Sequence, residues 1–219
     1  KILFFENYFL NNYFLEAFKN SFILSLITAI LVTLIGLIIS FILVNCLNNL
    51  LMQQILFIMS SFILVISPII ISLGYFIVLG ELRYISWVTF VIIIIINLLF
   101  LIPFSILILF NNLKNIYLNF NDFKKTFRIN EINFIKITYP LFKKNLFYVF
   151  AFSAAISFGD FTVISFFKNE SMQTLTTLLY ELITSYRFNE ASFVSGFILI
   201  FSLIIYLLFD NNYYKDIPD

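Results

Sequence analysis

Residues 21 to 46 read SFILSLITAILVTLIGLIISFILVNC, an apolar run without a single charged side chain. The charge-free stretch extends from Lys19 to Glu81, which is enough to cross a hydrocarbon layer of about 30 Å twice. A signal-peptide core has only about 7 to 15 apolar residues, so the first run is predicted to be a true membrane span. Across the chain, 62% of the residues are hydrophobic and 11% are charged, whereas a soluble domain has about 25% charged residues. These features predict an integral membrane protein.

Five segments are apolar and long enough to cross a bilayer, namely residues 21–46, 55–80, 84–110, 145–167 and 191–209. Backbone N–H and C=O groups in lipid must be satisfied within a segment, so each span is predicted to be a helix. Continuous apolar runs contradict the alternating pattern of a β-barrel. We therefore expect an all-α membrane domain over residues 21–209, preceded by an interfacial lead-in at 1–20 and followed by a tail at 210–219.

The connection between the third and fourth spans, residues 111–144, fixes the expected orientation. It holds seven of the chain's thirteen basic residues, against only Asp122 and Glu131. The positive-inside rule places this loop and the tail in the cytoplasm, and it places the lead-in and residues 168–190 on the outer, periplasmic side. Because an outer N-terminus normally requires a signal or a preceding span, we expect an upstream span to be missing from this chain.

Prolines occur in two of the predicted spans. Pro68 and Pro103 each remove a backbone donor and force a kink or break in a helix. Gly74 follows Pro68 by one to two turns, so the second span is predicted to be a broken helix lining a cavity, as in transporters. A kinked helix that only packs against its neighbours is the alternative.

The sequence contains no constellation of catalytic or metal-binding residues. Cys46 is the only cysteine and there is no histidine, which removes the residues of zinc sites and most redox sites. There is no Gly-rich phosphate loop and no nucleophile with a histidine base. The basic residues form no contiguous face, so nucleic-acid binding is not expected. We expect neither an enzyme nor a cofactor or metal bound by this chain.

The basic connection at 111–144 is too long for a simple connector, and in it apolar residues alternate with lysines and asparagines. Two short helices separated near Asn130 would present an apolar ridge flanked by positive charge, which suits a groove on a soluble partner. A basic loop that lies on anionic lipid headgroups is the alternative.

Part of this connection resembles the EAA loop of ABC importer permeases. The stretch FIKITYPL at 134–141 is similar to the end of that loop, which finishes in I-x-L-P. Ile137 and Pro140 match, and Tyr139 stands where the family has Leu. The family's Glu, first Ala and Gly would fall on Asn121, Asp122 and Phe127.

A second stretch resembles the thiamine ABC importer permeases. The sequence SFGDFTVI at 157–164 is followed by Thr174-Leu175, by Tyr180 and by Ser185-Tyr186-Arg187 in the family's order and spacing. The resemblance covers residues 20 to 209, and it is to the C-terminal half of a double-length permease. It implies a type I ABC importer permease fold in the bacterial inner membrane, with about five spans and a cytoplasmic coupling loop.

The resemblance also implies a substrate and partners. A periplasmic binding protein would deliver thiamine or a phosphorylated thiamine, a second permease half would be fused or separate, and a cytoplasmic ABC ATPase dimer would hydrolyse the ATP. The alternatives are a permease for ferric iron or another small solute, and a structural membrane subunit without a transport role. The residues expected to contact the ATPase are Lys124, Lys125, Arg128, Phe134, Ile137 and Pro140.

Asp160 is the only charged residue within any predicted span. With Gly159 and Phe161, it is expected on the substrate pathway, where a carboxylate would attract the permanent positive charge of thiamine. The alternative is a structural anchor that bonds to hydroxyls such as those of Ser157 and Thr162.

A polar cluster precedes the last span on the predicted outer side. We expect it to contact the binding protein or to form an outer gate, because Tyr and Arg are common interface anchors. The alternative for its arginine is a pair with Glu190 or with a lipid phosphate. The cluster consists of Glu181, Ser185, Tyr186 and Arg187.

Overall fold

The computed structural model describes residues 12–46, 51, 54, 58, 66–80, 85–127, 130–167 and 173–214. Its helices are α1 (Asn12–Asn45), α2 (Pro68–Leu79), α3 (Ser86–Thr126), α4 (Glu131–Gly159), α5 (Thr162–Phe166), α6 (Leu175–Thr184) and α7 (Phe188–Tyr214). No strand occurs within these ranges. Four apolar stretches, in α1, α3, α4 with α5, and α7, are long enough to cross a bilayer. The predicted all-α integral membrane fold is therefore confirmed.

In the second predicted span, residues 55–80, the first part apart from residue 58 lies outside the described residues, up to residue 65. Its last part forms α2, which begins at Pro68 directly after the extended Ser67. Proline at the first helical position needs no N–H donor, so here it starts a helix and does not kink one. The broken helix expected at Pro68 stays a prediction, because residues 59–65 lie outside the described residues, and α2, with 12 residues, is too short to cross a bilayer alone.

The connection at 111–144 differs from the two short helices that we expected. α3 runs on to Thr126 and α4 begins at Glu131, so these helices are 41 and 29 residues long. No proline or glycine interrupts residues 111–126, and nothing there ends the helix. The separation near Asn130 is present, but the helices beside it are continuations of the spans. Pro103, for its part, lies inside α3 without ending it.

The fourth predicted span, residues 145–167, is not a single helix. α4 ends at Gly159, the backbone of Asp160 is extended, and the short α5 starts at Thr162. Glycine is a weak helix former, and an aspartate side chain that bonds to the backbone after it competes with the helical ladder. Asp160 therefore lies at a helix break and not within a helix.

α1 lies at the centre of the packing, where it contacts α3, α4 and α6, while α7 packs on α4 and α6. Of the five glycines, Gly36 has the tightest surroundings, since an added Cβ would lie 2.0 Å from Ser105 Oγ and 2.7 Å from Ser105 Cβ of α3. Small residues let membrane helices approach in this way. Gly36 therefore sets the distance between α1 and α3.

A Gly36→Ala substitution should destabilise the protein in detergent by about 1 to 3 kcal/mol, the usual range for overpacking. The loss should occur although alanine favours a helix more than glycine does. Adding Ser105→Gly removes both contacted atoms and should restore the thermal unfolding temperature. Gly196→Ala is the matched control, because no atom of the described residues lies within 4 Å of its added Cβ. Equal unfolding temperatures for the two alanine variants would contradict the close approach.

Candidate functional site at the helix break

The candidate site is built around the break at Asp160. Its Oδ1 accepts hydrogen bonds from the Thr162 N–H at 2.9 Å and from the Thr162 hydroxyl at 2.6 Å. A third, longer bond of 3.4 Å comes from the Val163 N–H. The carboxylate satisfies backbone donors at the start of α5, as an N-cap side chain would, although Asp160 lies one residue before the N-cap residue Phe161. The bond to Thr162 is one of those expected if Asp160 is a structural anchor.

Ser157, just before the break, belongs to a buried chain of hydrogen bonds across three helices. Asn97 Nδ2 of α3 donates to Ser157 Oγ over 3.2 Å, and Ser157 Oγ lies 2.9 Å from Thr28 Oγ1 of α1. The Thr28 hydroxyl donates to the Leu24 C=O, so the Ser157 hydroxyl is left to donate to Thr28. This chain ties α3 and α4 to α1 next to the break.

The other side of the break is held by α6. The Thr176 hydroxyl donates to the Asp160 C=O over 3.1 Å. A capping box that begins at Thr174 starts α6, and the Leu175 N–H donates to Ser21 Oγ of α1 over 2.9 Å. The Thr174-Leu175 pair of the sequence motif therefore fixes α6 against both the break and α1.

A cleft of about 250 Å³ opens between the break, α6 and α7. The Phe161 and Tyr180 rings meet there, with centroids 5.3 Å apart and planes inclined by 31°. The rest of the lining is largely aliphatic, with hydroxyl groups from α6 and α7. The residues around it include Gly159, Phe161, Thr176, Tyr180, Ser195 and Leu199.

Two of the three predicted pathway residues meet in this cleft. Gly159 and Phe161 line it, whereas the Asp160 side chain turns towards the start of α5. Oδ2 of Asp160 is buried, and no hydrogen-bond partner for it occurs among the described residues. The Asp160 side chain is therefore not part of the cleft lining, although both of its chain neighbours are. Sequence reasoning missed Tyr180 and Ser195 as lining residues, and only Tyr180 had a signal, as a member of the spaced motif.

The four residues predicted to form an outer gate lie together at the end of α6. The N–H groups of Tyr186 and Arg187 bond to the C=O groups of Ile183 and Leu182, the pattern of a Schellman motif. Tyr186 occupies its left-handed position with φ of 59°, where glycine is usual. The side chain of Tyr186 is 81% exposed, and its ring lies 6.0 Å from that of Phe188. The turn therefore holds an aromatic ring out from the surface.

The charged groups of this turn have partners nearby. Arg187 Nε donates to Glu190 Oε1 over 2.8 Å, and Nη2 pairs with Oε2 of the same carboxylate. This is the pair that we considered as the alternative role of Arg187. Glu181 accepts a hydrogen bond from Gln173 Nε2 at 3.1 Å, and the Ser185 hydroxyl donates to the Glu181 C=O over 2.7 Å. The aromatic ring of Tyr186 is thus the main exposed feature of the turn.

The predicted coupling residues do not share one environment. Phe134 is 6% exposed and packs against Tyr117 across the α3–α4 turn, with ring centroids 6.5 Å apart. It is therefore not part of an exposed ridge. Ile137 is 57% exposed, and Pro140, about one turn further, is exposed as well. The side chains of Lys124 and Lys125, and the whole of Arg128, lie outside the described residues.

No protein-family model matches the chain. The thiamine transport system permease protein ThiP of Haemophilus influenzae is 29% identical over 160 residues, which is 72% of this chain and 29% of that protein. ThiP of Escherichia coli is 28% identical over 163 residues, or 74% of this chain and 30% of that protein. ThiP of Salmonella typhimurium is 26% identical over 150 residues, or 68% of this chain and 28% of that protein.

The match thus covers less than a third of the length of each relative. All three relatives are named as permeases, which are transport proteins and not enzymes. Their similarity confirms the resemblance predicted from the sequence, and the chain is an all-helical integral membrane protein that resembles the permeases of thiamine ABC importers.

Proposed function

We propose that this chain is a membrane-spanning permease part of an ABC importer in the bacterial inner membrane, with thiamine or a phosphorylated thiamine as its substrate. The observation that carries the proposal is the similarity to three thiamine permeases over 68 to 74% of the chain. The four membrane-crossing stretches and the break at Asp160 support it, because transporters place substrate sites at interrupted helices.

The partners follow from the class of transporter. A periplasmic binding protein delivers the substrate on the outer side, a second permease half completes the pathway, and a cytoplasmic ATPase dimer supplies the energy. The chain itself binds no ATP. A permease for ferric iron or another solute and a structural subunit are the alternatives.

An exposed apolar ridge near the start of α4 supports the ATPase contact. It consists of Ile137, Pro140 and Leu141, which share one helix face by their spacing of three and four residues. Ile137 and Leu141 are 57% and 49% exposed. The basic residues around the ridge favour the cytoplasmic side, where a groove on a soluble partner would bury it.

Copurification tests the class of machine. We expect a gentle detergent preparation of the chain, expressed with its native gene neighbours, to retain an ATPase subunit in a fixed ratio after size-exclusion chromatography. A homogeneous complex without any nucleotide-binding subunit would favour the structural role.

The orientation can be measured by cysteine labelling on a Cys46→Ala background. A Ser192→Cys variant should react with an impermeant maleimide in intact cells, because residue 192 is exposed beside the predicted outer turn. A Lys125→Cys variant should react only after the cells are permeabilised, because its loop is expected in the cytoplasm. Rapid reaction at position 125 in intact cells would overturn the topology and the ATPase contact.

A further inference from the structure

The cleft beside the helix break presents aromatic surface that the described residues leave partly exposed. Phe161 is 37% exposed and Tyr180 is 50% exposed, although both lie between helices. Their rings, 5.3 Å apart and inclined by 31°, form an open wall and not a closed stack. An aromatic face of this kind attracts flat rings and cations, by about 0.5 to 2 kcal/mol for a cation.

The end of α4 adds negative potential to the same cleft. α4 is 29 residues long and ends at Gly159, which lines the cleft. The last carbonyl groups of a helix have no partner within it, and together they act as roughly half a negative charge. Among the described residues, a Cβ added at Gly159 would meet only Ile198 Cγ2, at 4.0 Å, so the backbone there is open to a ligand.

Two hydroxyl groups complete the lining. Thr176 Oγ1 donates to the Asp160 C=O and lies 3.1 Å from Thr174 Oγ1, from which it can accept, so one of its two lone pairs is left for a further donor. Ser195 lies on α7 and is exposed. The cleft therefore combines two aromatic faces, a helix C-terminus and two hydroxyls, and Asp160 lies in the chain between the lining residues Gly159 and Phe161. Its volume of about 250 Å³ suits a molecule of two small rings.

We propose that this cleft binds the heteroaromatic cation of the transported molecule during its passage through the membrane. The proposal rests on the proposed function, since it takes the substrate to be thiamine. The positively charged ring lies over Phe161 or Tyr180, near the carbonyl end of α4, and the hydroxyls of Thr176 and Ser195 bond to polar atoms of the second ring. A lipid acyl chain could contact the aromatic rings, but it has neither a charge nor a donor for the carbonyl end of α4 and the hydroxyl oxygens.

Substrate protection of an introduced cysteine tests this directly. Ser195→Cys and Ser192→Cys are made separately on the Cys46→Ala background, and each is assembled with the second permease half, the ATPase and the binding protein in proteoliposomes. Residue 192 is exposed on the same helix but does not line the cleft, so it is the matched control. Labelling by a small maleimide is followed with and without thiamine, in the resting and the vanadate-trapped complex.

We expect thiamine to slow labelling at position 195 at least threefold in one of these states and to leave position 192 unchanged. Adding Tyr180→Leu should abolish the protection, whereas Tyr180→Phe, which keeps the ring, should retain it. If the Cys46→Ala parent takes up thiamine normally and thiamine does not slow labelling at position 195 in either state, the cleft is not a binding site. The proposed function would then still stand. No thiamine uptake by the assembled Cys46→Ala parent or by the unchanged complex would overturn both.

Discussion

An Asp160→Asn variant should assemble like the unchanged protein and yet take up thiamine at least tenfold more slowly. The amide Oδ1 can still accept the bonds that Oδ1 of Asp160 now receives from Thr162 and Val163, and asparagine caps helices as well as aspartate does. The negative charge, however, is lost. Two unit charges 8 Å apart attract by about 2 kcal/mol at an effective dielectric constant of 20, which corresponds to roughly thirtyfold in rate.

An Asp160→Ala variant separates the two roles of this side chain. It removes the hydrogen bonds to the start of α5 as well as the charge, at a cost comparable to the loss of a helix cap, about 0.5 to 2 kcal/mol in stability. We therefore expect less assembled complex from Asp160→Ala than from Asp160→Asn, measured by size-exclusion chromatography. Undiminished uptake by an assembled Asp160→Asn complex would show that Asp160 is only a structural anchor.

An Ile137→Asp variant should abolish the coupling between the ATPase and transport. A carboxylate forced into an apolar groove loses its hydration without gaining a partner, and this costs several kcal/mol. Thiamine uptake in proteoliposomes should fall more than tenfold, and the binding protein should no longer stimulate ATP hydrolysis. Binding of the loaded binding protein on the outer side should persist.

Ile137→Val is the control for this experiment, because it keeps an apolar side chain at the exposed position. It should retain at least half of the uptake rate. If Ile137→Asp transported thiamine at the unchanged rate, the ridge would be an element of the membrane surface and not a contact with the ATPase.

The spans could be predicted from the sequence because membrane insertion depends on the composition of a continuous segment. The helix ends could not be predicted in this way. Polar residues at 111–126 do not stop a helix, so α3 runs beyond the apolar core. Asp160 is flanked by apolar residues, so the segment was predicted to be one continuous span. The local pattern that indicates a helix break is an aspartate whose side chain bonds to a threonine two residues later.

The geometry of the candidate site could not be predicted from the sequence, because it depends on contacts between distant parts of the chain. The spaced motif indicated that Asp160, Tyr180 and Arg187 matter, but it did not show that Phe161 and Tyr180 meet across a cleft. Likewise, the alternation of apolar and polar residues in the loop did not show that Ile137 is exposed whereas Phe134 is buried. The burial of Phe134 depends on its contact with Tyr117. Periodicity reports which residues are apolar, whereas tertiary packing decides which of them are covered.

Thiamine transport by this chain is tested most directly by uptake of radiolabelled thiamine into proteoliposomes that hold the assembled importer. With ATP available to the ATPase and the binding protein on the opposite side, we expect thiamine to accumulate against its gradient. Accumulation should stop when ATP is replaced by a non-hydrolysable analogue or when the binding protein is omitted. An active complex that hydrolyses ATP in response to another solute, and never to thiamine or its phosphates, would contradict the proposed substrate.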